Sequence, residues 1–168
     1  GTGKSKFGRL IAKNLNFTFY DVDLLIENKL NNTIKNIFQE NGENFFRKTE
    51  VSTIKELIFN ISQSNQSSVI SLGGGAFDNI NTRTLLLEKS HVIWLNTPVE
   101  VLVNRVGDGS KRPMIRGDVK KSISELLKKR IKYYSLSHDQ LNTNKLNQNQ
   151  IIEKITKIIS NENKKAIK

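Results

Sequence analysis

Five groups of residues along this chain have the types and spacing for work on a phosphorylated or acidic small molecule. The first, Gly1-Thr2-Gly3-Lys4-Ser5, is the back half of the phosphate-binding pattern G-x-x-x-x-G-K-[ST]. In such a loop the backbone N–H groups and the start of the next helix surround the phosphates. The lysine reaches the β and γ phosphates, and the hydroxyl ligates Mg²⁺. There is no initiator Met, and the leading Gly and the strand that should precede the loop are absent. Either the chain is a fragment that begins inside its own loop, or the match is accidental.

The second group, Asp21-Val22-Asp23, ends the β-prone run Thr18-Phe19-Tyr20. On an extended segment the two carboxylates point to one side, where one can face metal-bound water and the other a substrate hydroxyl. They can equally be helix caps before Leu24. Third, Arg47 and Glu50 lie three apart on one helical face, beside Phe45 and Phe46 as core anchors. A guanidinium held by a carboxylate suits a planar substrate carboxylate, although an exposed ion pair has the same pattern. Fourth, Gly73-Gly74-Gly75 follows a buried-strand pattern; three glycines in a row imply positive φ or close approach of backbone to a ligand. Fifth, Arg112-Pro113, Arg116 and Arg130 supply late cations able to close over phosphates.

The elements that must position these groups alternate. Phe7, Leu10, Ile11 and Leu15 recur at helical spacing before the strand at 18–20, and Leu24–Ile26 continue as helix. Thr33 caps a turn closed by Gly42, and a longer helix carries Phe45, Phe46, Val51, Ile54, Leu57, Ile58 and Ile61. Strands are expected at 68–72, 92–95 and, more weakly, 139–142, with helices at 83–89, 123–131 and 151–159. Thr97 reads as a helix cap with Pro98 at the first helical position. Periodicity lapses over 107–119, which reads as a mobile loop, and 160–168 reads as a polar, frayed tail. Such alternation argues an α/β fold with a parallel sheet.

The 168 residues suit one domain. With no Cys there is no disulfide framework or thiolate metal site, and two His cannot assemble the usual zinc ligands. No apolar run approaches a membrane span and no signal pattern opens the chain, so a cytoplasmic protein is the default. Of the net charge of +11, +10 falls after residue 110. That excess suits a polyanionic partner, nucleic acid or small phosphorylated ligand, or reflects a lysine-rich compositional bias, since 20 of 27 cations are Lys.

Taken in order, Gly-Lys-Ser, Asp-x-Asp, Phe-Arg-x-x-Glu, Gly-Gly-Gly and Arg-Pro form the pattern of the shikimate kinases, and the chain resembles that family over residues 1–160. The resemblance implies a P-loop kinase of the nucleoside-monophosphate-kinase type. Its five-stranded parallel sheet has the order 2-3-1-4-5, with a lid near 107–119, and its activity is transfer of the γ-phosphate of ATP to the 3-hydroxyl of shikimate. It further implies that Gly1, Thr2, Gly3, Lys4, Ser5 and Lys6 form the nucleotide phosphate site, with Ser5 on Mg²⁺ and Asp21 assisting through water. Asp23 would bind the shikimate hydroxyls and orient or deprotonate the attacking one. Arg47, supported by Glu50, and Arg130 would grip the carboxylate, and Gly73, Gly74 and Gly75 would approach the ring. Lys4 and Arg112 would act on the transferring phosphate, and Arg105 would lie along the adenine. ATP and shikimate are the implied partners of a cytoplasmic monomer, with neither nucleic acid nor membrane.

The chain departs from the family in having Met114-Ile115 after Arg-Pro, and no Pro between Arg130 and Tyr134; Lys145 is a poor match to the family's basic residue over the adenine. The alternatives are another small-molecule P-loop kinase, such as a gluconate kinase, or a non-catalytic kinase-like domain that binds through its basic C-terminal third. The first would have no reason to keep all five motifs, and the second predicts eroded site residues. A first strand absent from the middle of the sheet would leave the third and fourth without their shared neighbour. These 168 residues alone are then expected to be unstable and inactive, and robust kinase activity from them would refute that.

Overall fold

The computed structural model describes residues 1–64, 66–109, 112–115 and 117–166, the last four of these by backbone alone. Arg116 therefore lies outside the described residues. Helix α1 (Lys4–Leu15) leads into β1 (Thr18–Asp21), followed by α2 (Val22–Leu30) and α3 (Ile34–Ser62). Strand β2 (Ser68–Ser71) is followed by a 3₁₀ turn (Ala76–Asp78), α4 (Ile80–Lys89), β3 (Ile93–Asn96) and α5 (Val99–Val106). Helix α6 (Val119–Tyr134), β4 (Asp139–Asn142) and α7 (Gln148–Ala166) complete the chain. Helix α7 thus runs through most of the segment that reads as a frayed tail.

The strands form two parallel pairs. β1 pairs with β2, Thr18 opposite Ser68 and Asp21 opposite Ser71. β3 pairs with β4, Ile93 opposite Asp139 and Asn96 opposite Asn142. β2 and β3 are not hydrogen-bonded to each other. What joins the pairs is apolar packing: Phe7 and Ile11 of α1 share one cluster with Val69 of β2, Ile93 and Leu95 of β3, Leu141 of β4, and Ile151 and Ile155 of α7. The second cluster unites Val22 and Ile26 of α2 with Phe46, Ile54, Leu57 and Ile58 of α3, Phe77 and Leu86, and draws in Tyr20 and Ile70 from the strands. Val69 and Ile70 enter different clusters because successive side chains on a strand point to opposite faces.

Local chemistry sets the joints. Thr33 caps α3 by accepting from Asn36 N–H at 3.2 Å. Gly42 breaks the helix with φ 78 and ψ 170, the turn its sequence position suggests. Phe46 is buried, whereas Phe45 is 40 % exposed, so only one of the two phenylalanines anchors this turn. Thr97 does not cap α5. Its hydroxyl lies 2.8 Å from that of Thr143, both residues buried, tying together the loops that leave β3 and β4. Pro98 itself is the capping residue, with no side-chain hydrogen bond available to it. No helix among the described residues is long and apolar enough to cross a membrane.

The backbone at Gly42 lies where residues with a Cβ are strained, yet nothing stands within 4 Å of the position a Cβ would take. Gly42→Ala should destabilise the fold by about 1–3 kcal/mol through backbone strain alone. A urea midpoint unchanged by the substitution would show that the break is not held by the rest of the structure.

Candidate functional site

The C-terminal ends of parallel strands are where ligands bind in open α/β sheets, because loops and helix N-termini converge there. Here that edge carries Asp21 and Ser71, and Gly73 to Gly75 follow β2 directly. A cleft of about 230 Å³ opens above it, and its walls include Gly1, Thr2, Lys4, Asp23, Arg47, Glu50, the three glycines, Arg112 and Arg130. Residues spread over most of the chain thus meet at one place.

The three glycines form its floor, and none of them has positive φ, so at Gly73 and Gly75 the absent side chain serves close approach. A Cβ on Gly73 would sit 2.8 Å from Glu50 Oε1 and 2.9 Å from Asp23 Oδ1. One on Gly74 would lie 3.5 Å from Arg130 Nη1 and 3.6 Å from the Tyr134 hydroxyl, while one on Gly75 would collide with the Arg47 guanidinium. Tyr134 donates its hydroxyl hydrogen to the Gly74 carbonyl. Each glycine therefore supports a different functional group.

Two of the guanidiniums that line the cleft, Arg47 and Arg130, are each backed by a carboxylate. Arg47 Nη1 donates to Glu50 Oε2 at 2.6 Å, and its Nε donates to Glu43 at 3.3 Å. Burial works against the charge on Arg47, but Glu50 and Glu43 outweigh it and hold the group more firmly protonated than usual. Glu50 is 2 % exposed; its burial pushes the carboxyl above the ordinary range, with Arg47 pulling it back. Its Oε1 has no hydrogen-bond partner among the described residues. Arg130 Nε donates to Asp78 Oδ2 at 2.9 Å. Apolar walls come from Phe38 and Phe46, whose rings lie 4.6 Å apart, and from Trp94, whose ring is 5.5 Å from that of Tyr134.

At the other end, Lys4 Nζ is 3.3 Å from Thr2 Oγ1. Burial lowers the pKa of this lysine and Arg112 adds to the effect, while Asp23 and Asp21 oppose it. Asp23 shifts the opposite way: burial raises its pKa, Asp21 raises it further, and Lys4 and Arg112 pull it down. Asp21 and Asp23 do not share an extended segment. Asp21 ends β1 and caps α2, its Oδ1 accepting from the N–H groups of Asp23 and Leu24 at 3.1 and 3.5 Å. Asp23 stands in the first helical turn and faces Gly73, so the capping and ligand-facing readings fall to different residues.

The remaining expected residues sit at the margin. Gly3 caps α1, the Ser5 hydroxyl lies 3.3 Å from that of Ser71, and Lys6 is exposed. Arg105 Nη1 donates to the Gly1 carbonyl at 3.5 Å. For Mg²⁺ the donors near the loop, the hydroxyl of Ser5 and the carboxylates of Asp21 and Asp23, are all oxygen. That suits a hard cation that keeps several waters and binds through one or two carboxylates plus phosphates. No cluster of three or more His, Cys, Asp or Glu able to hold a metal occurs among the described residues. Sequence reading missed Tyr134 and Trp94, which line the cleft, and Asp78 and Ser71, which hold residues beside it. Tyr134 was within reach of it, being one helical turn beyond Arg130; nothing local distinguished Asp78.

Residues 1–160 match the family model described as SKI: Shikimate kinase. A shikimate kinase from Sulfurihydrogenibium is 34 % identical over 159 residues, covering 94 % of this chain and 92 % of the relative. One from Zymomonas mobilis is 38 % identical over 138 residues, 82 % and 76 % of the two chains. Among solved structures, the shikimate kinase from Acinetobacter baumannii in complex with shikimate superposes with TM-score 0.87 at 31 % identity, over 96 % of this chain and 88 % of that one. The enzyme from Aquifex aeolicus gives 0.80 at 27 %, covering 96 % and 92 %.

Because Asp23 has a higher pKa folded than unfolded, it favours the fold only while protonated. That stability is fully present below the ordinary value of 3.8 and is lost as pH rises through the raised folded-state value. Asp23→Asn should therefore raise the unfolding temperature at neutral pH, with the gain vanishing in acid, while turnover falls at least ~100-fold. Thermal unfolding across a pH series, alongside turnover, checks both signs.

Proposed function

The chain belongs to the shikimate kinase family, and from its cleft we infer that it transfers the γ-phosphate of ATP to the 3-hydroxyl of shikimate, giving shikimate 3-phosphate and ADP. The observation that carries this reading is one cleft with two chemically distinct ends around the Asp23 carboxylate. Lys4 and Arg112 mark an end suited to phosphate, Arg47 and Arg130 an end suited to a carboxylate, and Asp23 lies within the same walls. A small acid bearing hydroxyls fits between them.

In phosphoryl transfer the protein contributes positioning and charge stabilisation. The backbone of Gly1 to Lys6 and the start of α1 hold the nucleotide phosphates, and Lys4 lies against the β and γ groups. Arg47 and Arg130 fix the shikimate carboxylate, while the backbone of Gly73 to Gly75 lets the ring lie close. Asp23 accepts a hydrogen bond from the attacking hydroxyl. As the new O–P bond forms and ADP departs, the hydroxyl proton passes to Asp23, whose raised pKa makes it a better acceptor than an ordinary aspartate. Arg112 closes with the 107–119 lid onto the transferring phosphate, and Arg105 lies along the adenine. Ser5, and Asp21 through water, would hold Mg²⁺, which would neutralise phosphate charge. The lid belongs to a single domain spanning residues 1–160.

That β2 and β3 belong to separate strand pairs joined by packing on α1 supports the further reading that a fifth strand stands between them. The order is then β1, β2, the central strand, β3, β4. We place the enzyme in the cytoplasm as a monomer, with ATP and shikimate rather than nucleic acid or membrane as its partners.

ADP release should be stimulated by shikimate and not by gluconate, and should stop when Mg²⁺ is chelated. Arg47→Ala should raise the KM for shikimate by about 10- to 100-fold, the loss of charge-assisted hydrogen bonds, with the KM for ATP little changed. Turnover indifferent to shikimate would overturn the reading.

A further inference from the structure

Arg47 is held by Glu50, three residues away on its own helix, but Arg130 is held by a residue 52 positions distant, Asp78. Asp78 ends the 3₁₀ turn that follows the triple glycine, and its Oδ2 accepts from Arg130 Nε at 2.9 Å. The Arg130 side chain is 12 % exposed. With its Nε edge committed to Asp78, the plane of Arg130 is set, and Nη1 is directed at Gly74, near the Tyr134 hydroxyl. The Nη edge is then the one that a substrate carboxylate meets.

Asp78 is itself fixed from behind. Arg83 Nη1 donates to the carbonyls of Phe77 and Asp78 at 3.0 and 3.2 Å. The Arg83 guanidinium lies 4.5 Å from the centre of the Tyr133 ring, on the same helix as Arg130. Phe77 is 5 % exposed and belongs to the core cluster, so the turn that presents Asp78 is anchored at its side chain and its carbonyls. The other oxygen of Asp78, Oδ1, is buried without a hydrogen-bond partner among the described residues. A buried carboxylate oxygen with no partner costs stability, so Asp78 is a poor choice for a purely structural turn residue. Its favourable contact is the one to Arg130.

We propose that Asp78 is a positioning residue for shikimate recognition: it orients Arg130 so that the Nη edge of the guanidinium meets the substrate carboxylate. Asp78 does not line the cleft, so it acts through Arg130 and has no direct contact with substrate. The proposal rests on the shikimate kinase reading. It predicts an effect on substrate affinity that disappears when Arg130 is gone.

The test is a double-mutant cycle on the full-length protein with Asp78→Ala, Asp78→Asn, Arg130→Ala and the double variants. Steady-state kinetics give KM and kcat, and the quenching of Trp94, the single tryptophan and a cleft wall, gives shikimate binding independently of turnover. Asp78→Ala should raise the KM and Kd for shikimate about tenfold, as expected for loss of a hydrogen bond to a charged group, with kcat and the KM for ATP within about twofold. Asp78→Asn, which keeps an acceptor for Nε but not the charge, should fall between. In the Arg130→Ala background both substitutions should change KM less than twofold. If Asp78→Ala fails to fold, the near-isosteric Asn variant carries the same comparison. An unchanged shikimate KM, or an equal rise with and without Arg130, would overturn the role of Asp78. A full-length wild-type protein that neither binds nor turns over shikimate would instead overturn the functional reading beneath it.

Discussion

Three consecutive residues without side chains, at the carboxyl edge of β2, set the geometry of the cleft. Asp23 of α2 and Glu50 and Arg47 of α3 lean on Gly73 and Gly75 at distances a Cβ would obstruct, while Arg130 and Tyr134 of α6 stand where a Cβ on Gly74 would meet them in ordinary contact. The volume given up at Gly73 and Gly75 is what lets the Asp23 and Glu50 carboxylates and the Arg47 guanidinium approach one another. Remove that floor and the helices that carry them must move apart, because protein interiors yield little to added atoms.

Charges crowded this way need compensation, and the cleft supplies it in pairs. Glu50 offsets Arg47, Asp78 offsets Arg130, and Asp23 is flanked by Lys4 and Arg112. The balance is incomplete at Asp23, where burial and Asp21 leave the ionised form disfavoured. An acid group held in that condition costs stability and gains basicity, a trade found where a proton must be taken up during reaction. Unpartnered oxygens on Glu50 and Asp78 belong to the same economy.

Much of the architecture was legible because it rests on short-range rules. Helical spacing located α1 through Phe7, Ile11 and Leu15, and the apolar runs located β2 and β3. The weak signal at 139–142 proved to be a strand paired along its whole length with β3. Thr97 misled, since a hydroxyl before a proline resembles a cap until Thr143 is seen beside it. Phe45 misled similarly: two adjacent aromatic residues cannot both face the core from one helical turn.

By itself the sequence determined the order of elements and the residue types at each end of the cleft, because backbone preference and side-chain periodicity act over a few positions. Tertiary structure decided the division of labour. It made Asp21 a cap and turned Asp23 into the cleft, gave the triple glycine its reason in close approach rather than in positive φ, and paired Arg130 with Asp78. Those outcomes depend on how loops and helices distant in sequence pack above the strand ends, where no local pattern constrains which partners meet.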